Sequence, residues 1–380
     1  MKIDNLQILT PQGKLEKVTL TIDGGTISGL SPVEQLSAGA DLDTEGWIAS
    51  PGWIDLQING GFGHDFTTNP ESLWDVATQL PKFGVTGFLP TIITSSADTF
   101  QKAIEVFRKG PPQGWRGARV FGWHFEGPFL NPGKKGAHDP ASLVLPDMEF
   151  IENWSKENGV AMVTMAPELP GADEVASQLR EQGVILSMGH SLATLEDARH
   201  AIEKGFTSAT HLFNAMPALD HRKPGLACEV LLNSAVTTGI IADGQHVDQN
   251  MVTLAWKMKA PDKLALVSDA VGALGVPPGE FIQGGLEIVV SEDSAKLKNG
   301  TLAGSVLRLD RALRNVMAFT GSSIDQVLPA LGVVQANLLG LPKNGRIEPG
   351  FNADLTVVDN AGNLKMTIVG GNILFDTEKD

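Results

Sequence analysis

Two histidines carry the first chemical signal in this 380-residue chain. The apolar run from Val184 to Met188 stops at Gly189-His190-Ser191, and the small-residue run from Thr207 to Thr210 stops at His211. A helix between them would return the chain to the same edge of a parallel sheet, where folds of that kind build their sites. Two neutral imidazoles brought together at strand ends suit Zn2+ or Fe2+. Glu126 closes the run Gly122-Trp123-His124-Phe125-Glu126 and adds a carboxylate. With His190 and His211 it makes a set of one carboxylate and two imidazoles that leaves a coordination position for water. Asp269, in Val267-Ser268-Asp269-Ala270, ends the strand that would adjoin them in a closed barrel, within reach of that water as a general base.

Other strand ends deliver polar groups too. Asp55, Gln57 and Asn59 alternate along one strand and so share a face. His124 shares a face with Glu126, and Asp243-Gly244-Gln245-His246 ends another apolar run. Singly, each has an ordinary reading, as a hydrogen-bonded structural histidine or a capping aspartate. The weight lies in the combination, because acids and imidazoles at so many strand ends are costly unless they bind something.

The elements that must position these residues alternate. Candidate strands run over Trp53–Asn59, Gly87–Ile92, Val120–Glu126, Ala161–Ala166, Val184–Met188, Ser208–His211, Thr237–Ala242 and Leu264–Ser268, with helices between most of them. The clearest helix is Ser191–Lys204: Leu195, Ala198 and Ile202 recur at helical spacing, Thr194 and Asp197 can form a capping box, and Gly205 supplies the stop. Eight strands over roughly 250 residues match an α/β fold of the (β/α)8 TIM-barrel type, with a doubly wound open sheet as the alternative. Both ends of the chain are strand-rich. The expected organisation is therefore a small β-sandwich domain from residues 1–49 and 346–380 around a hydrolase barrel at 50–345. After the last barrel strand, Leu286–Val290 and Ala295–Lys298 read as a hairpin turning at Glu292-Asp293, followed by helices at Val306–Phe319 and Ile324–Leu331.

Composition narrows the partners. Hydrophobic residues make up 42% and charged residues 19%, an ordinary globular balance. A net charge of -15 argues against nucleic acid and against anionic membranes, and no apolar run reaches membrane-spanning length. The single cysteine, Cys228, excludes an intrachain disulfide and fits a reducing cytoplasm.

Longer motifs carry a resemblance. Pro51-Gly52-Trp53-Ile54-Asp55, His124-Phe125-Glu126-Gly127-Pro128-Phe129, Gly189-His190-Ser191, Thr210-His211-Leu212-Phe213-Asn214-Ala215-Met216 and Val267-Ser268-Asp269-Ala270 resemble the amidohydrolase superfamily and, within it, the N-acetylglucosamine-6-phosphate deacetylases. The resemblance covers essentially the whole chain. It implies Glu126, His190 and His211 as ligands of a divalent metal, and Asp269 as general base and then general acid. It implies His138, in Lys135-Gly136-Ala137-His138-Asp139-Pro140, as the group that approaches the acetyl carbonyl. Asn214, Ala215, Arg222 and His246 match positions that hold the sugar phosphate, Arg222 being lent by the neighbouring subunit of a homodimer. Many superfamily members bind a second metal through a His-x-His pair on the first strand. Here those positions are Gln57 and Asn59, poor ligands beside imidazole. One metal ion per subunit is therefore expected, Zn2+ or Fe2+ before Mn2+ or Co2+, with Gln57 and Asn59 left to contact water or a weak second ion. The implied reaction is hydrolysis of the N-acetyl group of N-acetylglucosamine 6-phosphate to glucosamine 6-phosphate and acetate. The alternatives are N-acetylgalactosamine 6-phosphate or another acylated amino sugar, a cyclic-amide hydrolase (which would need a lysine at the end of the fourth strand, where none stands), and a metal-free scaffold on the same barrel.

Overall fold

The computed structural model describes residues 1–10, 14–32, 40–283, 286–291, 293–298, 300, 302 and 304–379. Eight parallel strands form its centre: Trp53–Ile58, Val85–Ile93, Trp123–Glu126, Val160–Met165, Ile185–Met188, Phe206–Ala209, Thr237–Ile240 and Leu264–Leu266, each hydrogen-bonded to the next. The eighth returns to the first through an Ile58–Ala270 bridge, reinforced by the Asn59 amide donating to the Ala270 carbonyl at 2.7 Å. This is the TIM-type barrel expected, and the open sheet is excluded. The strands are buried on both faces, which explains their near-continuous apolar runs. Trp53, Phe66, Phe88, Phe100, Trp123, Phe125 and Trp154 pack in one cluster with the surrounding helices.

The helix expected at 191–204 is Leu195–Glu203, with the Thr194–Asp197 capping box in place. It starts at Leu195 because Thr194 is its N-cap, and Ser191 and Leu192 before it bond Glu168, as described below. The helices that follow the barrel run over Leu309–Thr320 and Ile324–Val327, the second continuing as a 3-10 turn to Leu331. Leu286–Val290 pairs with Ala295–Leu297 as a hairpin and gains a third strand, Gly279–Gln283; Glu292 at its turn lies outside the described residues.

Strands from both chain ends build a second, mixed sheet in the order Asn372–Asp376, Leu364–Val369, Leu355–Val358, Ile48–Pro51, Lys2–Leu9, Leu15–Asp23 and Thr26–Pro32. Its two halves share a core, with Ile3, Leu6 and Leu20 against Leu355, Val357 and Ile368, so the sheet curls over itself. Arg119 of the barrel holds Asp354 of this sheet through two bonds of 2.6 and 3.1 Å, and Asp354 also accepts the Gly370 amide. Among the described residues, no helix is long and apolar enough to cross a membrane.

Candidate active site

The strand ends converge. Glu126 Oε1, at the end of the third strand, lies 3.2 Å from His190 Nε2 and 2.9 Å from His211 Nε2; the two ring nitrogens are 3.0 Å apart. All three side chains are buried. Burial opposes ionisation of Glu126, but hydrogen bonds and charge from His190 and His211 outweigh it and hold the carboxyl well below its usual range. Burial pushes His211 down, but Glu126 wins and raises it. His190 Nδ1 donates to the Lys134 carbonyl at 2.8 Å, so its Nε2 lone pair faces the cluster. A proton can bridge only one pair of these three atoms at a time, whereas a single cation among them engages all three lone pairs at once. Their spacing is that of atoms around one ion with bonds of about 2.0–2.2 Å. The residues present therefore fit a divalent metal.

His138 makes a second set with Glu126 and His190, their ligand atoms all within 4.8 Å of one another. Its neighbours argue for a different role. The Thr94 amide points at His138 Nδ1 from 3.3 Å, with the Thr94 hydroxyl at 2.7 Å. An amide proton is an obligatory donor, so Nδ1 accepts. Burial, with His190 beside it, pushes His138 down to about 3, so the ring is neutral and carries its proton on Nε2. That nitrogen lies 3.8 Å from Glu126 Oε2 and is a donor rather than a ligand. Gly127 protects the arrangement: at φ +93, a Cβ there would stand 2.2 Å from the Thr94 hydroxyl.

Asp269 is partly buried just past the end of the eighth strand. Burial, with the Glu126 charge adding to it, pushes its carboxyl up to about 6, while His211 and His246 draw it back. Asn59 donates to its Oδ1 at 2.7 Å. Gln57 likewise donates to Glu126 Oε1 at 3.1 Å. The two amides that replace imidazoles on the first strand thus bond the site's carboxylates. Asp55, which burial pushes up to about 7, accepts the Ser268 amide and so fixes the segment carrying Asp269.

The backbone is strained where this chemistry is concentrated. His190, His211, Phe213, Ala215 and Asp269 have φ of +48, +32, +77, +51 and +50. Non-glycine residues rarely hold such angles, and strain of this kind collects where the surroundings over-determine a functional geometry.

The residues expected at the sugar phosphate are more dispersed. Asn214 turns its amide to the His211 and Leu212 carbonyls of its own loop, and the Ala215 carbonyl accepts the Ser191 amide. His246 Nδ1 is 2.6 Å from Asp243 Oδ2; burial opposes ionisation of that carboxyl, but His246 holds it low. Arg222 is exposed on a turn organised by Asp220, and no ion-pair partner is seen for its guanidinium among the described residues. His124 is not joined to a carboxylate: Nε2 bonds the Thr164 hydroxyl at 2.7 Å, and burial pushes the ring down to about 4. Thr164 and Ser187 both bond Thr210, each at 2.6 Å. Sequence reading missed this hydroxyl network beneath the site, although Thr164 and Ser187 stand on strands and Thr210 precedes His211. It also missed Glu168, just past the fourth strand.

A sequence model of the amidohydrolase family matches residues 48–374. The chain belongs to the amidohydrolase family. Members are metal-dependent hydrolases, in agreement with the Glu/His cluster. This amidohydrolase is 33% identical to an N-acetylglucosamine-6-phosphate deacetylase of Lysinibacillus sphaericus over 99% of its own length and 98% of the relative's. Its fold superposes on the crystal structure of the Pasteurella multocida N-acetylglucosamine-6-phosphate deacetylase with a TM-score of 0.90, at 33% identity and 98% coverage of both chains. A mutant of the Mycobacterium smegmatis deacetylase, in complex with N-acetyl-D-glucosamine-6-phosphate, matches at a TM-score of 0.90 and 29% identity, covering 98% of this chain and 99% of that one. The family read in the sequence is borne out, as is the fold.

Proposed function

We propose that this amidohydrolase hydrolyses the N-acetyl group of N-acetylglucosamine 6-phosphate, releasing acetate and glucosamine 6-phosphate. The observation that carries the reading is the convergence of Glu126, His190 and His211 on one point, flanked by Asp269 and by His138 with its Nε2 proton turned inward. Relatives that bear this activity in their names, matched over nearly the full chain, support the substrate.

Glu126, His190 and His211 would hold one divalent ion, Zn2+ or Fe2+ by ligand type. When bound, the ion acts as a Lewis acid that acidifies water and polarises a carbonyl oxygen. Asp269 takes a proton from the attacking water as its oxygen bonds to the acetyl carbon. His138 donates from Nε2 to the oxygen that gains negative charge. Asp269 then returns the proton to the sugar nitrogen as the C–N bond breaks, which leaves acetic acid and a neutral amine; the acid's proton passes to the amine, giving acetate and the ammonium form of glucosamine 6-phosphate. Gln57 and Asn59 hold the two carboxylates in line. Asn214, Ala215, His246 and Arg222 would bind the sugar phosphate far from the reacting bond and orient it. Arg222, exposed and without an ion-pair partner among the described residues, suits a homodimer in which each subunit lends this residue to its neighbour's site. A cytoplasmic home fits the single cysteine.

Acetate release from N-acetylglucosamine 6-phosphate by the zinc-loaded protein, with N-acetylgalactosamine 6-phosphate and unphosphorylated N-acetylglucosamine in parallel, tests the proposal. No release from the phosphorylated gluco substrate would overturn it. Arg222→Ala is expected to raise KM for the phosphorylated sugar about ten- to hundredfold, the worth of one hydrogen bond to a charged group, while kcat changes little. An unchanged KM would remove Arg222 from the phosphate. The pH profile should have its acid limb set by Asp269, which works only when ionised. Burial raises the carboxyl to about 6, and a bound cation draws it back. The kcat/KM plotted on a log scale should therefore fall by one unit per pH unit below a break at or below about pH 6. A flat profile down to pH 4 would contradict a base in this environment.

A further inference from the structure

The Glu168 carboxylate stands outside the ion cluster, yet three parts of the chain converge on it. Its Oε1 accepts the Leu192 amide at 2.6 Å and the Asn131 side-chain amide at 2.9 Å. Its Oε2 accepts the Ser191 hydroxyl at 2.7 Å. No cation pairs with it among the described residues, so all of its visible bonding is spent on loop groups.

These groups bracket His190. Ser191 and Leu192 directly follow it. On the other side, the Asn131 backbone amide donates to the His190 carbonyl at 2.9 Å. Asn131 also begins the turn that closes when the Lys134 amide donates to the Asn131 carbonyl at 2.8 Å, and the Lys134 carbonyl is the acceptor for His190 Nδ1–H. One carboxylate thus anchors both the chain that leaves His190 and the turn that fixes its ring. His190 needs such anchoring, because it holds φ +48 without a glycine's freedom.

We propose that Glu168 is a positioning residue that holds His190 in its strained backbone and ring orientation, and thereby sets the affinity of the metal site. The inference rests on His190 being a metal ligand. Glu168 acts by geometry. Glutamine can reproduce its role: an amide oxygen at Oε1 still accepts Leu192 and Asn131, and the amide NH2 can donate to Ser191 Oγ. Alanine cannot.

The test measures Zn2+ dissociation constants by competition with a chromophoric chelator, together with kcat and KM, for the full-length wild type, Glu168→Ala, Glu168→Gln and His190→Ala. Glu168→Ala should weaken Zn2+ about ten- to hundredfold, the usual cost of losing an outer partner of a metal ligand. Activity should be lost at limiting Zn2+ and largely regained at saturation, with KM for the substrate little changed. Glu168→Gln should keep close to wild-type affinity. Should the alanine variant fail to fold, Ser191→Ala removes the Oε2 bond, together with the bond its hydroxyl accepts from the Ala193 amide, leaves the Oε1 bonds in place and should still weaken Zn2+ measurably. Wild-type affinity in Glu168→Ala would overturn the inference while leaving the metal site standing. Equal damage in Glu168→Gln would overturn it too, since charge would then matter rather than position. Normal Zn2+ affinity in His190→Ala would overturn the metal-site reading itself, and this inference with it.

Discussion

Asp269→Asn is expected to fold, to keep its ion and to bind substrate, while kcat falls by about 10^3- to 10^4-fold, the upper range for loss of a general acid–base. The expectation of a folded protein comes from the backbone. Asp269 has φ +50, and asparagine is the residue that best tolerates this region after glycine. The main-chain bond from the Ser305 amide to the Asp269 carbonyl, 3.2 Å, does not involve the side chain. Asparagine also keeps an oxygen where Asn59 donates. What it loses is the capacity to take a proton from water and return it to the leaving amine. Metal content by elemental analysis, substrate affinity by calorimetry and single-turnover rates separate these effects. Turnover near wild type would remove Asp269 as the base, whereas loss of the ion along with the rate would make it a ligand.

The parts of this site that were readable in advance are those whose chemistry is expensive to bury. His190, His211, Glu126 and Asp269 interrupt apolar runs at the points where strands end, and a parallel barrel brings such points together whatever its loops do. The same alternation exposed the face shared by Asp55, Gln57 and Asn59. It did not tell their partners, and the expected contact with water or a second ion stands beside observed bonds to Glu126 and Asp269. Groups that look ordinary alone stayed hidden. Thr164, Ser187 and Thr210 are good strand residues anywhere, and only the register of three neighbouring strands turns them into a hydroxyl network. Glu168 follows a proline in a loop and reads as a solvated acid until Ser191, Leu192 and Asn131 are seen upon it. The helix begins at Leu195 and not at Ser191 because Thr194 is its N-cap. His138 was found through resemblance alone. Its role as a donor depends on which ring nitrogen faces the Thr94 amide, and that is information about three dimensions.

Glu126→Gln should abolish most ion binding with little loss of intrinsic stability. The wild-type carboxylate is 2% exposed and draws both imidazoles and the Gln57 amide to one oxygen. A neutral amide oxygen of the same shape is a far weaker ligand for a divalent cation. It also ends the Glu126 attraction, the main force that raises His211, so burial weighs more on that ring, opposed still by the Asp269 charge. No uncompensated charge is left behind, and the chelator-treated variant should unfold close to the chelator-treated wild type. The two diverge when metal is added. An ion at a hundred times its dissociation constant stabilises the native state by about 2.7 kcal/mol, and a hundredfold weaker site leaves only about 0.4 kcal/mol at the same concentration. The metal-dependent rise in Tm should therefore shrink to a small fraction of its wild-type size. Activity should drop about a thousandfold or more at ion concentrations that saturate the wild type, since the Lewis acid supplies several kcal/mol to the transition state. A Glu126→Gln protein that retained the full metal-dependent rise in Tm would show that the ion is held elsewhere, and the pairing of His138 with His190 would then have to be reconsidered as the ligand set.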